Sequence, residues 1–257
     1  MAAEQSSPFL SFKEVKSNGE AAYVTDTAHR LYWPLAGDFP ATISVMKSRR
    51  GGLDEREPFC QPDGTWHDIA SLPLTEPKVS SIEASIRDLD QWESDWVAWH
   101  ENHETAEFVT YGDLDDEDRP YASEQNEDGS WEDDSDTEFL IRCCGQDRPL
   151  RTRGQKLQVT PSAGKDFVSI HDYVCAVHPW LMGLREDIIQ AKIVTRPGPV
   201  VVPALASTTE WMVSAIVAPE HVVMTKDEWL EFHRPPRPMS AATRNMLQRA
   251  GARIDPQ

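Results

Sequence analysis

The 257-residue sequence predicts an α+β fold: a mostly antiparallel sheet packed by two main helices, at about 81–103 and 170–190, with a disordered acidic loop at 113–138. Three observations predict it. Strand-like runs lie near both ends of the chain with helical patterns between them, and they lack the regular β-α alternation of a doubly wound parallel sheet. Two stretches repeat apolar residues at helical spacing. One window is too polar to bury any core.

In chain order, residues 1–20 read as a flexible N-terminus, 21–233 as a single α+β domain interrupted by the acidic loop, and 234–257 as a Pro/Arg-rich tail with a short helix at about 241–250. Two strands, about 29–33 and 41–47, flank a turn with Gly37, Asp38 and Pro40. Residues 49–79 hold four prolines and three glycines, too many breakers for one regular element. Ser80 and Glu83 then stand at capping-box spacing, and Ile82, Ile86, Leu89, Trp92, Trp96 and Trp99 follow at steps of three and four, which predicts the first main helix. A strand at 107–111 precedes the acidic window.

The second helix starts at Ser169, with Asp172 three residues on as its capping partner, and shows an apolar face of Val174, Val177, Leu181, Leu184 and Ile188. Pro179 inside this pattern predicts a break at His178. Val-rich strands are expected at 199–205, 211–217 and 221–224, and Thr225 with Glu228 caps a short helix that Pro235 and Pro236 end.

The net charge of −18 is concentrated, because residues 113–138 hold thirteen acids and one arginine. Their four apolar residues cannot offset the entropy of ordering them. The shortage of clustered Lys and Arg argues against nucleic acid as a partner. No run approaches the roughly 18 apolar residues of a membrane span, and no basic n-region with an apolar core opens the chain, so neither membrane nor secretion is expected. The expected compartment is the cytoplasm, with the nucleus as the alternative. The expected partner is a protein of basic character, attracted by the acidic window.

Dinucleotide, P-loop and esterase-elbow motifs are absent. His171 and His178 lie seven apart, nearly two helical turns, and Asp172 could orient one of them as a general base. The competing structural reading has Asp172 as a cap and His178 at the proline break. Trp92, Trp96 and Trp99 could line a cleft for a flat ligand or pack in the core. The segment WHENHE offers His100, His103 and Glu104, but it is not an HExxH motif, and Cys60, Cys143, Cys144 and Cys175 form no CxxC pair. The adjacent cysteines read as small apolar residues on a strand, so no metal and no cofactor are expected.

The run FVSIHDYVCAVHPWLMGLREDI, residues 167–188, resembles a segment of uncharacterised predicted proteins of filamentous fungi. The resemblance implies a fungal source and a domain containing this capped, proline-bearing helix. It brings no activity. The function expected from the sequence is therefore that of a soluble intracellular accessory or interaction protein. The alternative is a cofactor-independent enzyme using His171 or His178 in an aromatic-lined pocket.

Overall fold

A computed structural model describes residues 8–50, 53, 55–113, 138–149, 154–194, 209–214 and 220–234. Residues 114–137 of the acidic window, the strand expected at 199–205 and the C-terminal helix at 241–250 lie outside the described residues, while the two ends of that window, Asp113 and Glu138, sit in a helical turn and in a strand instead of the expected disordered loop.

The N-terminal expectation is corrected for residues 8–20. Helix α1 (Phe12–Ser17) is capped by Ser11, whose hydroxyl accepts from the Glu14 amide while the Glu14 carboxylate reaches back to the Ser11 amide. Phe12 and Val15, three apart on one face, are buried in the main core and tie this segment down.

Strands β1 (Tyr23–Val24), β2 (Leu31–Tyr32), β3 (Ser44–Met46), β4 (Arg56–Pro58) and β5 (Thr75–Glu76) are short, as the density of Pro and Gly requires. β2, β3 and β4 form one antiparallel sheet, and β1 pairs with β5. The β2–β3 connection needs Gly37. It sits at φ +84°, and a Cβ there would lie 2.8 Å from the Thr42 hydroxyl oxygen.

The first main helix begins later than 81. Ile82–Ile86 is strand β6, and helix α2 runs Arg87–His100. Ile82 and Ile86, four apart, satisfy both a helical and a strand period. Ala84 buried beside an exposed Glu83 decides for the strand, because only a period of two puts 82, 84 and 86 on one face. Sheet pairing then overrides the apparent cap at Ser80, since β6 is central in the order β10–β6–β12–β11.

After α2 come β7 (Glu107–Thr110), β8 (Glu138–Cys143) and β9 (Gln146–Asp147), a separate antiparallel sheet, then β10 (Lys156–Val159). Helix α3 (Ile170–Gly183) carries the expected Ser169–Asp172 capping box. It continues through Pro179, and the break comes at Leu184 before α4 (Arg185–Val194). Burial of Val174, Val177, His178 and Leu181 on both sides of the proline outweighs the single hydrogen bond it removes. Strands β11 (Trp211–Ser214) and β12 (Glu220–Thr225) and helix α5 (Lys226–His233), capped by Thr225 and Glu228, complete the described chain.

The fold is thus α+β as expected, with the sheet divided into four small ones and a single parallel pairing, β6 with β12, among the described strands. The main core joins α1, β6, α3 and α4 with Trp33, Leu35 and Phe59. A second cluster gathers Tyr32, Met46, Met212, Met224 and Trp229, and a third holds only Trp96, Leu140 and Cys143. Among the described residues no helix is long and apolar enough to cross a membrane.

Candidate metal centre

The third cluster lies at the C-terminal end of α2. That helix ends at His100, and a turn follows in which the His103 amide donates to the His100 carbonyl at 3.0 Å and the Ala106 amide to the His103 carbonyl at 3.1 Å. The turn hands the chain to β7, whose partner β8 ends on Cys143.

Successive strand residues point to opposite faces, so two adjacent cysteines ordinarily cannot share a ligand. Here Cys143 pairs with Gln146 in the β8–β9 hairpin, leaving Cys144 and Gly145 as a two-residue loop with φ of 52° and 76°. Positive φ at both positions is the type I′ pattern, which favours Asn-Gly or Gly-Gly. Cys144 is the only described residue other than glycine with positive φ, a conformation that costs a β-carbon-bearing residue about 1–3 kcal/mol. In exchange, the left-handed turn swings the Cys144 thiol back beside that of Cys143, 3.7 Å away.

The His103 Nδ1 nitrogen lies 3.4 Å from the Cys144 sulfur and 3.7 Å from that of Cys143. His100 brings a ring nitrogen into the same group, and the four ligand atoms all fall within 4.8 Å of one another. Tetrahedral zinc bonded at about 2.3 Å to sulfur and about 2.0 Å to nitrogen sets edges of about 3.8 Å for S–S and about 3.6 Å for S–N. The Cys143–Cys144, His103–Cys144 and His103–Cys143 separations match these values to about 0.2 Å. His100 is 7 % exposed, and its Nδ1 finds no hydrogen-bond partner among the described residues. Such an orphaned buried nitrogen costs on the order of 1–3 kcal/mol unless something satisfies it. The donor set and the geometry therefore fit a borderline-soft divalent ion.

Outer contacts support the same reading. Thr105 Oγ1 lies 3.4 Å from both sulfurs, placed to donate to a thiolate. Those hydrogen bonds from Thr105 and from His103 pull the Cys144 thiol below its ordinary value, whereas burial pushes Cys143 up. Burial, and then the neighbouring His103, lowers His100 and favours the neutral imidazole that binds metal. Behind the ligands, the Trp96 ring packs on His100 at 4.5 Å between centroids, and Trp99 meets His103 edge-on at 6.2 Å.

The residues singled out from sequence fall into two separate groups. Of the tryptophan stripe, Trp96 is buried, Trp92 is half-buried and Trp99 is 44 % exposed, and their histidine neighbours are His100 and His103. His171 sits 3.4 Å from the Cys175 sulfur and 3.6 Å from an Asp172 oxygen, with its ring against the edge of Trp66. Asp172 does the work of a cap: one oxygen takes the Ser169 amide and hydroxyl, the other the Ser162 hydroxyl. Burial raises its carboxyl, and these hydrogen bonds overcome that and hold it below the ordinary range. His178 is 1 % exposed, its Nδ1 accepts from the Trp33 indole at 2.9 Å, and burial lowers its pKa. Burial and then the Asp172 charge push the Cys175 thiol up to about 11, which leaves it protonated and a poor nucleophile at neutral pH.

The sequence reading considered His100 with His103, and Cys143 with Cys144, as two unrelated pairs. Their union is made by the β7–β8 pairing, across 39 intervening residues between His103 and Cys143. The one local signal was the glycine after the cysteines, which marks a turn and so removes the reason to place both on a strand. Comparison with protein-family models, characterised proteins and solved structures finds no match.

Proposed function

We propose that this protein binds one zinc ion through His100, His103, Cys143 and Cys144, as a non-catalytic centre that clamps the β7–β8–β9 arm to the end of α2. The observation that carries the reading is the convergence of four ligand atoms within 4.8 Å of one another, with the three edges among His103, Cys143 and Cys144 at the lengths of a zinc tetrahedron. Four protein ligands close the coordination shell, the pattern of structural rather than catalytic zinc. The arm is the base from which the acidic window springs, since residues 111–137 connect β7 to β8. A clamp there favours the accessory or interaction role: a rigid base presenting thirteen carboxylates to a basic partner protein. The rival reading, a His171- or His178-dependent enzyme, has thinner support, because His178 is enclosed and the Cys175 thiol stays protonated.

The test is elemental analysis of protein purified without chelator, followed by cobalt substitution. The reading expects one zinc per chain and, with cobalt, the visible bands of a tetrahedral ion together with thiolate charge-transfer absorption. Each should vanish in Cys143→Ser and persist in Cys175→Ser. Absence of stoichiometric metal, or cobalt spectra without the thiolate band, sinks it.

A further inference from the structure

Away from the metal centre, a shallow concavity of about 600 Å³ runs between the segment after β1 and the end of β3. Its lining includes Arg30, Lys47, Arg49 and Arg50 with the hydroxyl residues Thr27 and Ser48, against one carboxylate, Asp26. Four cations around one acid is a local reversal of sign in a chain of net charge −18. Two of the cations are partly answered: Arg49 meets Asp26 at 3.1 Å, and Lys47 meets Glu55 at 2.8 Å. Arg30 is braced rather than neutralised, with its Nε donating to the Met46 carbonyl at 2.7 Å. Among the described residues neither Arg30 nor Arg50 faces a carboxylate at ion-pair distance, and the buried Nε of Arg49 has no acceptor.

The structure assigns to this concavity, we propose, an anion site for a phosphate group. Guanidinium forks serve carboxylate and phosphate alike, and the number of donors here, three guanidinium groups, an ammonium and two hydroxyls, suits the larger count of acceptor oxygens on a phosphate. The imprint of the positive field is visible next door. His29, adjacent to Arg30, is 8 % exposed, and burial first and then Arg49 push its pKa down to about 4, against a weaker opposing pull from Asp26. His233, whose Nε2 faces the His29 carbonyl at 3.3 Å, is lowered by burial and also feels Arg49. A bound phosphate anion offsets that field. By linkage it raises the midpoint of His29, and protonation of His29 tightens the anion.

The experiment follows amide and imidazole NMR signals of the full chain during titration with inorganic phosphate, with sodium chloride at matched ionic strength as control. The expected result is saturable shifts at Thr27, Ser48 and Arg49 and a rise in the His29 midpoint. Arg30→Glu combined with Arg50→Glu should weaken phosphate at least tenfold. Should the double variant fail to fold, Arg50→Glu alone, at an exposed position, carries the same test. A parallel titration with a short phosphoserine peptide separates two sources of the same chemistry. Tighter binding than free phosphate assigns the site to a phosphorylated partner, and equal binding assigns it to small phosphates. Shifts that grow without saturating, that chloride reproduces, or that leave His29 unmoved overturn the proposal.

Discussion

The body and the arm are held in opposite ways. The body encloses a core in which Trp33, Leu35, Ile43, Phe59, Ile86, Tyr173 and Leu181 are all completely buried or nearly so, and its apolar contacts run through every helix from α1 to α4. The arm of β7, β8 and β9 closes on three buried residues, one of them a ligand cysteine. Partly buried Trp92, Val97, Ala106 and Val194 pack on that seam, and polar groups fasten the arm as well: the Glu93–Arg148 pair at 2.7 Å with both side chains about nine-tenths buried, and the four proposed metal ligands. On the zinc reading proposed above, a region with a small apolar seam has part of its stability set by an ion.

Chelation offers the largest way to break this comparison. Removing the metal should lower amide-exchange protection across 107–110 and 138–147 by about 100-fold or more, which is the local equivalent of roughly 3 kcal/mol. Protection in α3 should hold. Equal loss in both regions would show one cooperative unit and no separate arm.

Truncating one large buried aromatic in the main core and one behind the arm comes next. Trp96→Ala and Phe59→Ala should each cost about 3–5 kcal/mol by the usual scale for buried aromatics. They should do so differently: Phe59→Ala lowers the main thermal transition, whereas Trp96→Ala weakens zinc affinity and arm protection first, because the Trp96 ring is the support behind His100. If Trp96→Ala leaves zinc affinity untouched, the ring is packing only.

A third measurement sharpens the contrast from the side of the body, which buries neutral histidines that no metal satisfies. For His29 the folded pKa of about 4 lies below the ordinary 6.5, so between those values the unfolded chain binds the extra proton. Stability from this group is whole above pH 6.5, declines as pH falls toward 4, and is lost below it, with a ceiling on the order of 3 kcal/mol. Denaturant unfolding at pH 7, 5.5 and 4 should show wild type losing more than His29→Gln over that window. Parallel curves would place His29 in water.

Legibility in the sequence divides along the same line. The body was readable where one local rule acted alone: the capping boxes at Ser169 and Thr225 stand where the spacing put them, and the α3 face of Val174, Val177 and Leu181 is buried as its period required. It was misread where two rules competed, as at Ile82–Ile86, whose four-residue step suits helix and strand alike, and at Pro179, where core packing overrides a helix breaker. The centre was illegible for a different reason. Each half, HENH and CCG, is unremarkable locally, and only a long-range strand pairing makes them neighbours.

The smallest expected effect tests the strain that the arm carries for its ion. Cys144 occupies the first loop position of a type I′ turn, where asparagine is at home and cysteine is not. Cys144→Asn should therefore make the metal-free hairpin more stable, by about 0.5–1 kcal/mol, because the new side chain tolerates positive φ at lower cost. The same substitution removes a ligand, so zinc and the cobalt thiolate band are weakened or lost while the chelated protein gains protection at 138–147. Those two readouts moving in opposite directions would mean that the cysteine is kept against the preference of its own turn, for the sake of the metal. If the chelated variant is no more stable than the chelated wild type, the left-handed turn stores nothing, and the case for the centre returns to the converging distances alone.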